Sequence, residues 1–139
     1  MNEPVARLRE LARSYGGTLP ASYEVALQSF DSVATERGLS DAERLELSTH
    51  EFLTDVDRVI EVNGLVREGE PGWSENHASW PRRLLVIGDD DCGGYYFVDL
   101  SGSTAQVGYF EHEEGEFEWP YANIASYLDE TISEMIADR

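Results

Sequence analysis

The sequence predicts an α+β fold, a mainly antiparallel sheet with N-terminal helices and a C-terminal helix packed on one face. Three observations predict it. Apolar residues recur at helical spacing through the first half of the chain. Extended runs separated by turn residues fill Arg83–Tyr121. A last stretch, Ala122–Asp138, returns to helical spacing. Helices, then strands, then a helix is a segregated order, which favours an antiparallel sheet over alternating βαβ units.

Taken in order, Pro4 suits a first helical turn, where its missing N–H costs nothing. Val5, Leu8, Leu11, Ala12 and Tyr15 then form one apolar stripe, and Gly16-Gly17 ends it. Leu19-Pro20 opens a second helix with Tyr23, Ala26, Leu27 and Phe30 on one face, ending between Asp31 and Gly38. Gly38–Arg44 is polar and reads as a loop or short helical turn, and Leu45-Glu46-Leu47 as a short strand. Ser48 and Glu51 have capping-box spacing. The helix they open turns Phe52, Leu53, Val56, Val59 and Ile60 inward and stops near Asn63-Gly64. Glu68–Pro81 is a long loop holding Trp73, His77 and Trp80. Long loops often carry recognition, and indoles also plug core edges, so both readings stand.

The strands follow. Leu84–Ile87 is a continuous aliphatic run, as in a strand covered on both faces. Asp89–Gly94 is a turn of residues that tolerate positive φ or bond their own backbone. Tyr95–Leu100 is aromatic and β-branched, and Ser101–Thr104 folds it back onto Gln106–Phe110. The alternation Glu116-Phe117-Glu118-Trp119 gives a short strand with aromatics inside and acids outside. In the closing helix, Ile124, Tyr127, Leu128, Ile132, Met135 and Ile136 keep the 3.6-residue period.

With 139 residues, 41% hydrophobic and 27% charged, the chain has the length and composition of one globular domain spanning residues 1–139. No window has the length of a transmembrane span, and the first residues lack a signal peptide's basic and apolar regions, so a cytoplasmic location is expected. Cys92 is the only cysteine and has no internal disulfide partner.

Charge is very uneven. The net charge is −18, and no lysine occurs. From Leu84 to Asp138 there are 13 acidic residues and no basic one. Such a surface repels nucleic acid and anionic membranes, and attracts a basic protein. Charge taken alone also fits solubility or a salt-rich host.

The expected contact residues are the turn acids Asp89, Asp90 and Asp91 and the loop acids Glu111, Glu113, Glu114 and Glu116. Carboxylates there can pair with arginine and lysine. Trp73, Trp80 and Tyr95 are the aromatic candidates for a packed interface centre. No metal or cofactor is expected. The three aspartates lack calcium-loop spacing, and His50, His77 and His112 are scattered away from Cys92. Cys92 lies among aspartates, which disfavour a thiolate, and reads as a buried or turn-packed thiol rather than a nucleophile. No nucleophile elbow, phosphate loop or dinucleotide fingerprint occurs, so no enzymatic activity is expected.

Three segments in order resemble the SUKH superfamily, the Smi/Knr-type domain of cell-wall regulators and bacterial immunity proteins. They are Leu19-Pro20-Ala21-Ser22-Tyr23, the strand–turn–strand Leu85–Asp99, and Val107–Glu113 with the later Ala125-Ser126-Tyr127-Leu128. The sequence departs from the family pattern after Phe30, where Asp31-Ser32 replaces an Asn-Gly pair, and in carrying three aspartates at the turn. The resemblance implies a curved sheet and a protein that neutralises a cognate toxin by binding it, often a nuclease or another nucleic-acid-modifying enzyme with a basic cleft. The chain would act as a monomer or weak homodimer. A second reading is a regulatory or scaffold domain of the cell-wall-regulator type. A third is a metal-dependent hydrolase using the aspartate cluster.

Overall fold

The computed structural model describes residues 3–68, 80–111 and 113–139. Among the described residues five helices and four strands follow one another as α1 (Glu3–Ser14), α2 (Ala21–Glu36), α3 (Asp41–Thr49), α4 (Val56–Arg67), β1 (Leu84–Asp89), β2 (Tyr95–Asp99), β3 (Val107–Glu111), β4 (Glu116–Tyr121) and α5 (Ile124–Ala137). The sheet is an antiparallel meander in the order β1-β2-β3-β4. The α+β architecture is therefore as expected, with α5 on one face of the sheet.

Between Gly38 and Asn63 the observed elements differ from the expected ones. Residues 45–47 are helical: Ser40 caps α3, its side chain accepting from the Glu43 N–H while the Glu43 carboxylate accepts from the Ser40 N–H. Both Ser40–Glu43 and Ser48–Glu51 have capping-box spacing, and only the first closes. Leu47 explains the preference. It is the buried contact of α3, and a strand there would lose the capped first turn. The next helix, α4, starts at Val56 under Asp55 and runs through Asn63-Gly64 to Arg67. Asn63 does not break it because its amide is used elsewhere.

That use is the edge of β1. The Asn63 amide donates to the Val86 carbonyl (2.9 Å) and accepts the Val86 N–H (2.8 Å), as a neighbouring strand would. Arg67 and Trp80 Nε1 donate to the Leu84 carbonyl, the Leu53 N–H to Ile87, and the Asp89 N–H to the His50 carbonyl. An edge strand is thereby closed by side chains and loops. This is why Leu85, Val86 and Ile87 are all fully buried although, among the described residues, β1 has one strand neighbour. A bulge at Ile87 brings Gly88 against the backbone of Glu51, where a Cβ would lie 1.8 Å from the carbonyl oxygen.

The two sheet faces differ. Tyr96, Tyr109 and Tyr121 face α5, whose Tyr127 packs on Tyr96 and Tyr121. On the opposite face Phe97, Phe110, Phe117 and Trp119 cluster, and Trp80 lies edge-on to Phe97 and Phe110 with ring centroids 5.7 Å apart. Trp80 is 5% exposed. It takes the core-plug role of the two left open by the sequence. The inward aromatics of β4 are only partly enclosed, since Phe117 remains 37% exposed.

Candidate partner-binding surface

Antiparallel pairing brings both acidic segments to one end of the sheet. Asp89 pairs with Tyr95, Tyr95 with Phe110, and Glu111 with Glu116. The β1–β2 turn and the β3–β4 turn therefore project side by side, carrying all seven carboxylates singled out from the sequence.

These carboxylates do different work. Asp90 is turned inward as the keystone of its turn. Its Oδ1 accepts the N–H groups of Cys92 and Gly94, both at 2.8 Å, and its Oδ2 accepts the Tyr109 hydroxyl at 2.5 Å. Burial alone would raise the Asp90 pKa; the Tyr109 hydroxyl and the two amides outweigh it and hold the group below its usual value. Asp90 thus spends both carboxylate oxygens within the turn. Asp89 accepts the Asp91 N–H at 2.9 Å and lies 3.2 Å from His50 Nδ1. Asp91, at φ 61°, stands outward with its side chain 78% exposed. Cys92 is exposed rather than buried, its amide alone being tied into the turn.

In the second turn Glu111 is the organiser. Its two carboxylate oxygens accept the Glu113 and Glu114 N–H groups at 2.9 and 2.8 Å. Glu113, Glu114 and Glu116 are exposed. Tyr95 is half-buried, its ring 6.1 Å from Trp80. Trp73 lies outside the described residues, as do His77 and His112. The outward set is thus Asp91, Glu113, Glu114 and Glu116; Asp89, Asp90 and Glu111 hold the turns that present it.

Two neighbours were not legible in the sequence. His50, at the end of α3, places Nδ1 3.2 Å from Asp89 and 3.9 Å from Asp91. Burial would lower its pKa, but the Asp89 hydrogen bond and the charges of Asp89, Asp91 and Glu51 raise it overall. The ligand atoms of His50, Asp89 and Asp91 lie within 4.8 Å of one another, a spacing that the hydrogen bonds already made account for. Beside it, α3, α5 and the tyrosine face enclose a cleft of about 410 Å³ lined by Glu43, Glu46, Glu51, Glu134 and Asp138 with Tyr96 and Tyr121. Arg139 closes one side of it, forking onto both Glu43 oxygens. That contact is first among the causes that bring the Glu43 pKa down to about 2. Glu51 has one buried carboxylate oxygen without a hydrogen-bond partner among the described residues, and burial raises its pKa. The sequence hides this cleft because Glu43 and Glu46 come from a helix read as loop and strand, Glu51 from the stretch after it, which reads as a helix start, and Glu134 and Asp138 from α5 and its end, about 90 residues beyond Glu43.

A family model describing the SMI1 / KNR4 family (SUKH-1) matches residues 5–130. The chain belongs to the SMI1 / KNR4 (SUKH-1) family. The match covers all four strands, both acidic turns and the first half of α5. No curated protein and no solved structure matches the chain. SUKH-1 membership supports a family-level role, the family being generally one of non-enzymatic immunity or protein-interaction domains. Among the described residues no helix is long and apolar enough to cross a membrane.

Proposed function

We propose that this SUKH-1 chain is an immunity protein that binds and neutralises a bacterial toxin presenting a basic cleft, such as a nuclease. One observation carries the reading: two acidic turns, some twenty residues apart in sequence, sit together at one end of the sheet with Asp91, Glu113, Glu114 and Glu116 exposed. Inhibition is steric and electrostatic. The carboxylates pair with arginines and lysines that the toxin uses for phosphate, and the bulk of the domain closes the cleft. Long-range attraction from a net charge of −18 speeds the encounter.

The test is co-expression and titration with the toxin encoded beside this chain. Wild type should rescue growth and form a complex whose association slows steeply between about 50 and 500 mM salt, as a charge-steered encounter does. The triple variant Glu113→Gln/Glu114→Gln/Glu116→Gln should fold normally and bind at least tenfold more weakly. A complex insensitive both to salt and to the triple variant would remove this surface from the interface. Absence of any complex or rescue would remove the function.

A further inference from the structure

Positive charge is scarce in this chain, ten arginines against 28 acids. Seven of the ten pair with a carboxylate. Among the described residues the three that do not are Arg67, Arg82 and Arg83, and all three gather at one place, around Tyr15 and Gly16 where α1 has just ended. Arg67 lies 3.5 Å from the centre of the Tyr15 ring and donates to the Arg82 and Leu84 carbonyls at 2.8 and 3.0 Å. It is half-buried, and its Nε is enclosed without a hydrogen-bond partner among the described residues. Arg82 is held by Nη2, which donates to the Ser14 carbonyl at 3.1 Å. Arg83 engages no side-chain N–H among the described residues. Arg82 and Arg83 are both exposed, and their guanidiniums flank one notch. Arg82 Cζ and Arg83 Nε each lie 3.7 Å from the point where a Cβ on Gly16 would stand. Gly16 has φ 80°, a conformation that larger residues adopt only with strain, so the notch stays open.

Like charges side by side repel, and a chain so rich in carboxylates has ample means to neutralise them. The acids of the adjoining elements are engaged elsewhere. Asp99, across the sheet from Leu84, accepts the Ser101 N–H and hydroxyl, and Glu10 on α1 holds Arg13. The Arg82–Ser14 bond answers the negative end of α1. It leaves the other Arg82 donors and the whole Arg83 fork facing the notch, with the Arg67 charge behind them. One tetrahedral dianion can accept from both guanidiniums at once, whereas a monocarboxylate brings half the charge. The acidic turns do not cancel this local field. Arg83 precedes β1 and Asp89 ends it, which puts about 20 Å between them at roughly 3.3 Å per residue. That is more than two screening lengths of about 8 Å at physiological salt. We propose that Arg82 and Arg83 form a binding site for a phosphate group across the notch at Gly16, at the end of the sheet opposite the acidic turns.

The test is a titration of the isotope-labelled full chain with sodium phosphate near neutral pH, followed by nuclear magnetic resonance, with ionic strength held at about 150 mM by sodium chloride. The Arg82 and Arg83 Nε–H and Gly16 N–H signals should shift saturably with a midpoint below about 10 mM. Shifts that never saturate, or that leave these three signals unmoved, would overturn the proposal. Arg83→Gln has no internal hydrogen bond to lose and should weaken binding at least tenfold, and Arg82→Gln/Arg83→Gln should abolish it. An unchanged midpoint in either folded variant would overturn the proposal as well. Sodium acetate should bind at least tenfold more weakly than phosphate; equal affinity would mean bare attraction of any anion and sink the site. O-phosphoserine separates the two sources of the group. Tighter binding than inorganic phosphate assigns the notch to a phosphomonoester, and equal or weaker binding assigns it to free phosphate. Glu113→Gln/Glu114→Gln/Glu116→Gln should leave the phosphate midpoint within twofold, and a larger change would mean that the ion reads the net charge instead of the notch. Toxin neutralisation enters none of these readouts, so either proposal can fail while the other stands.

Discussion

Single side chains in this domain separate into those that build a surface and those that use it. Asp90 belongs to the first kind. Replacing it with alanine removes acceptors for two amides and a tyrosine hydroxyl, and a charged acceptor of this sort contributes about 2 kcal/mol. Urea unfolding of Asp90→Ala should show that loss. Its folded pKa is depressed, so the contribution is present above the unfolded value near 3.8 and disappears as pH falls through the lower folded value. His50 behaves in the opposite sense. Its folded pKa is raised, so the stability it lends is complete below about 6.5, the unfolded value, and is lost as pH rises through the folded one. The difference between wild type and His50→Gln should therefore shrink from pH 6 to pH 8. It should not exceed about 1 kcal/mol, since the ring is 36% exposed and water screens the pair. A difference that grew with pH would mean that His50 is stabilising as a neutral ring.

Whole elements show where local signals compete. The stretch Ser40–Glu51 holds two capping boxes in series, and neither box says which will close. Burial of Leu47, Phe52 and Leu53 decides it by fixing where α3 must end. The edge of β1 is a second case. Asn63 looks like a helix stop in sequence, yet it is the fully buried residue that bonds the Val86 main chain as a strand would. Asn63→Ala leaves the Val86 N–H and carbonyl buried and unpaired, which should cost about 3 kcal/mol by chemical denaturation. A cost under about 1 kcal/mol would show that the edge tolerates an open strand. Gly88→Ala forces a methyl into the Glu51 backbone. It should cost about 3 kcal/mol or more or abolish soluble expression, because the obstacle is main chain and cannot rotate aside.

At the scale of the molecule the governing quantity is the net charge of −18. Self-repulsion among exposed carboxylates works against the compact state, and salt relieves it. The melting temperature should rise by a few degrees between about 10 and 150 mM sodium chloride, where the screening length drops from roughly 30 Å to roughly 8 Å. A falling melting temperature would mean that internal ion pairs such as Arg37–Asp129 outweigh the repulsion. Salt thus acts on the free protein and on its complex in opposite directions, stabilising the fold while weakening the attraction proposed for a basic toxin.

The sequence alone determined the fold class, the helical stripes of α1, α2 and α5, the strand order along the chain and the acidity of the sheet half. Those properties are periodic or compositional, and period and composition survive without any knowledge of neighbours. The ordered motifs also carried the family resemblance. Only the tertiary structure decided that Asp90 and Glu111 hold turns while Asp91, Glu113, Glu114 and Glu116 face water, that Trp80 is core, that His50 and Glu51 stand beside the aspartates, and that Arg67, Arg82 and Arg83 gather around Tyr15 and Gly16. Each of these depends on which backbone amide or ring lies within a few ångströms of a side chain, and residues tens of positions apart supply those partners.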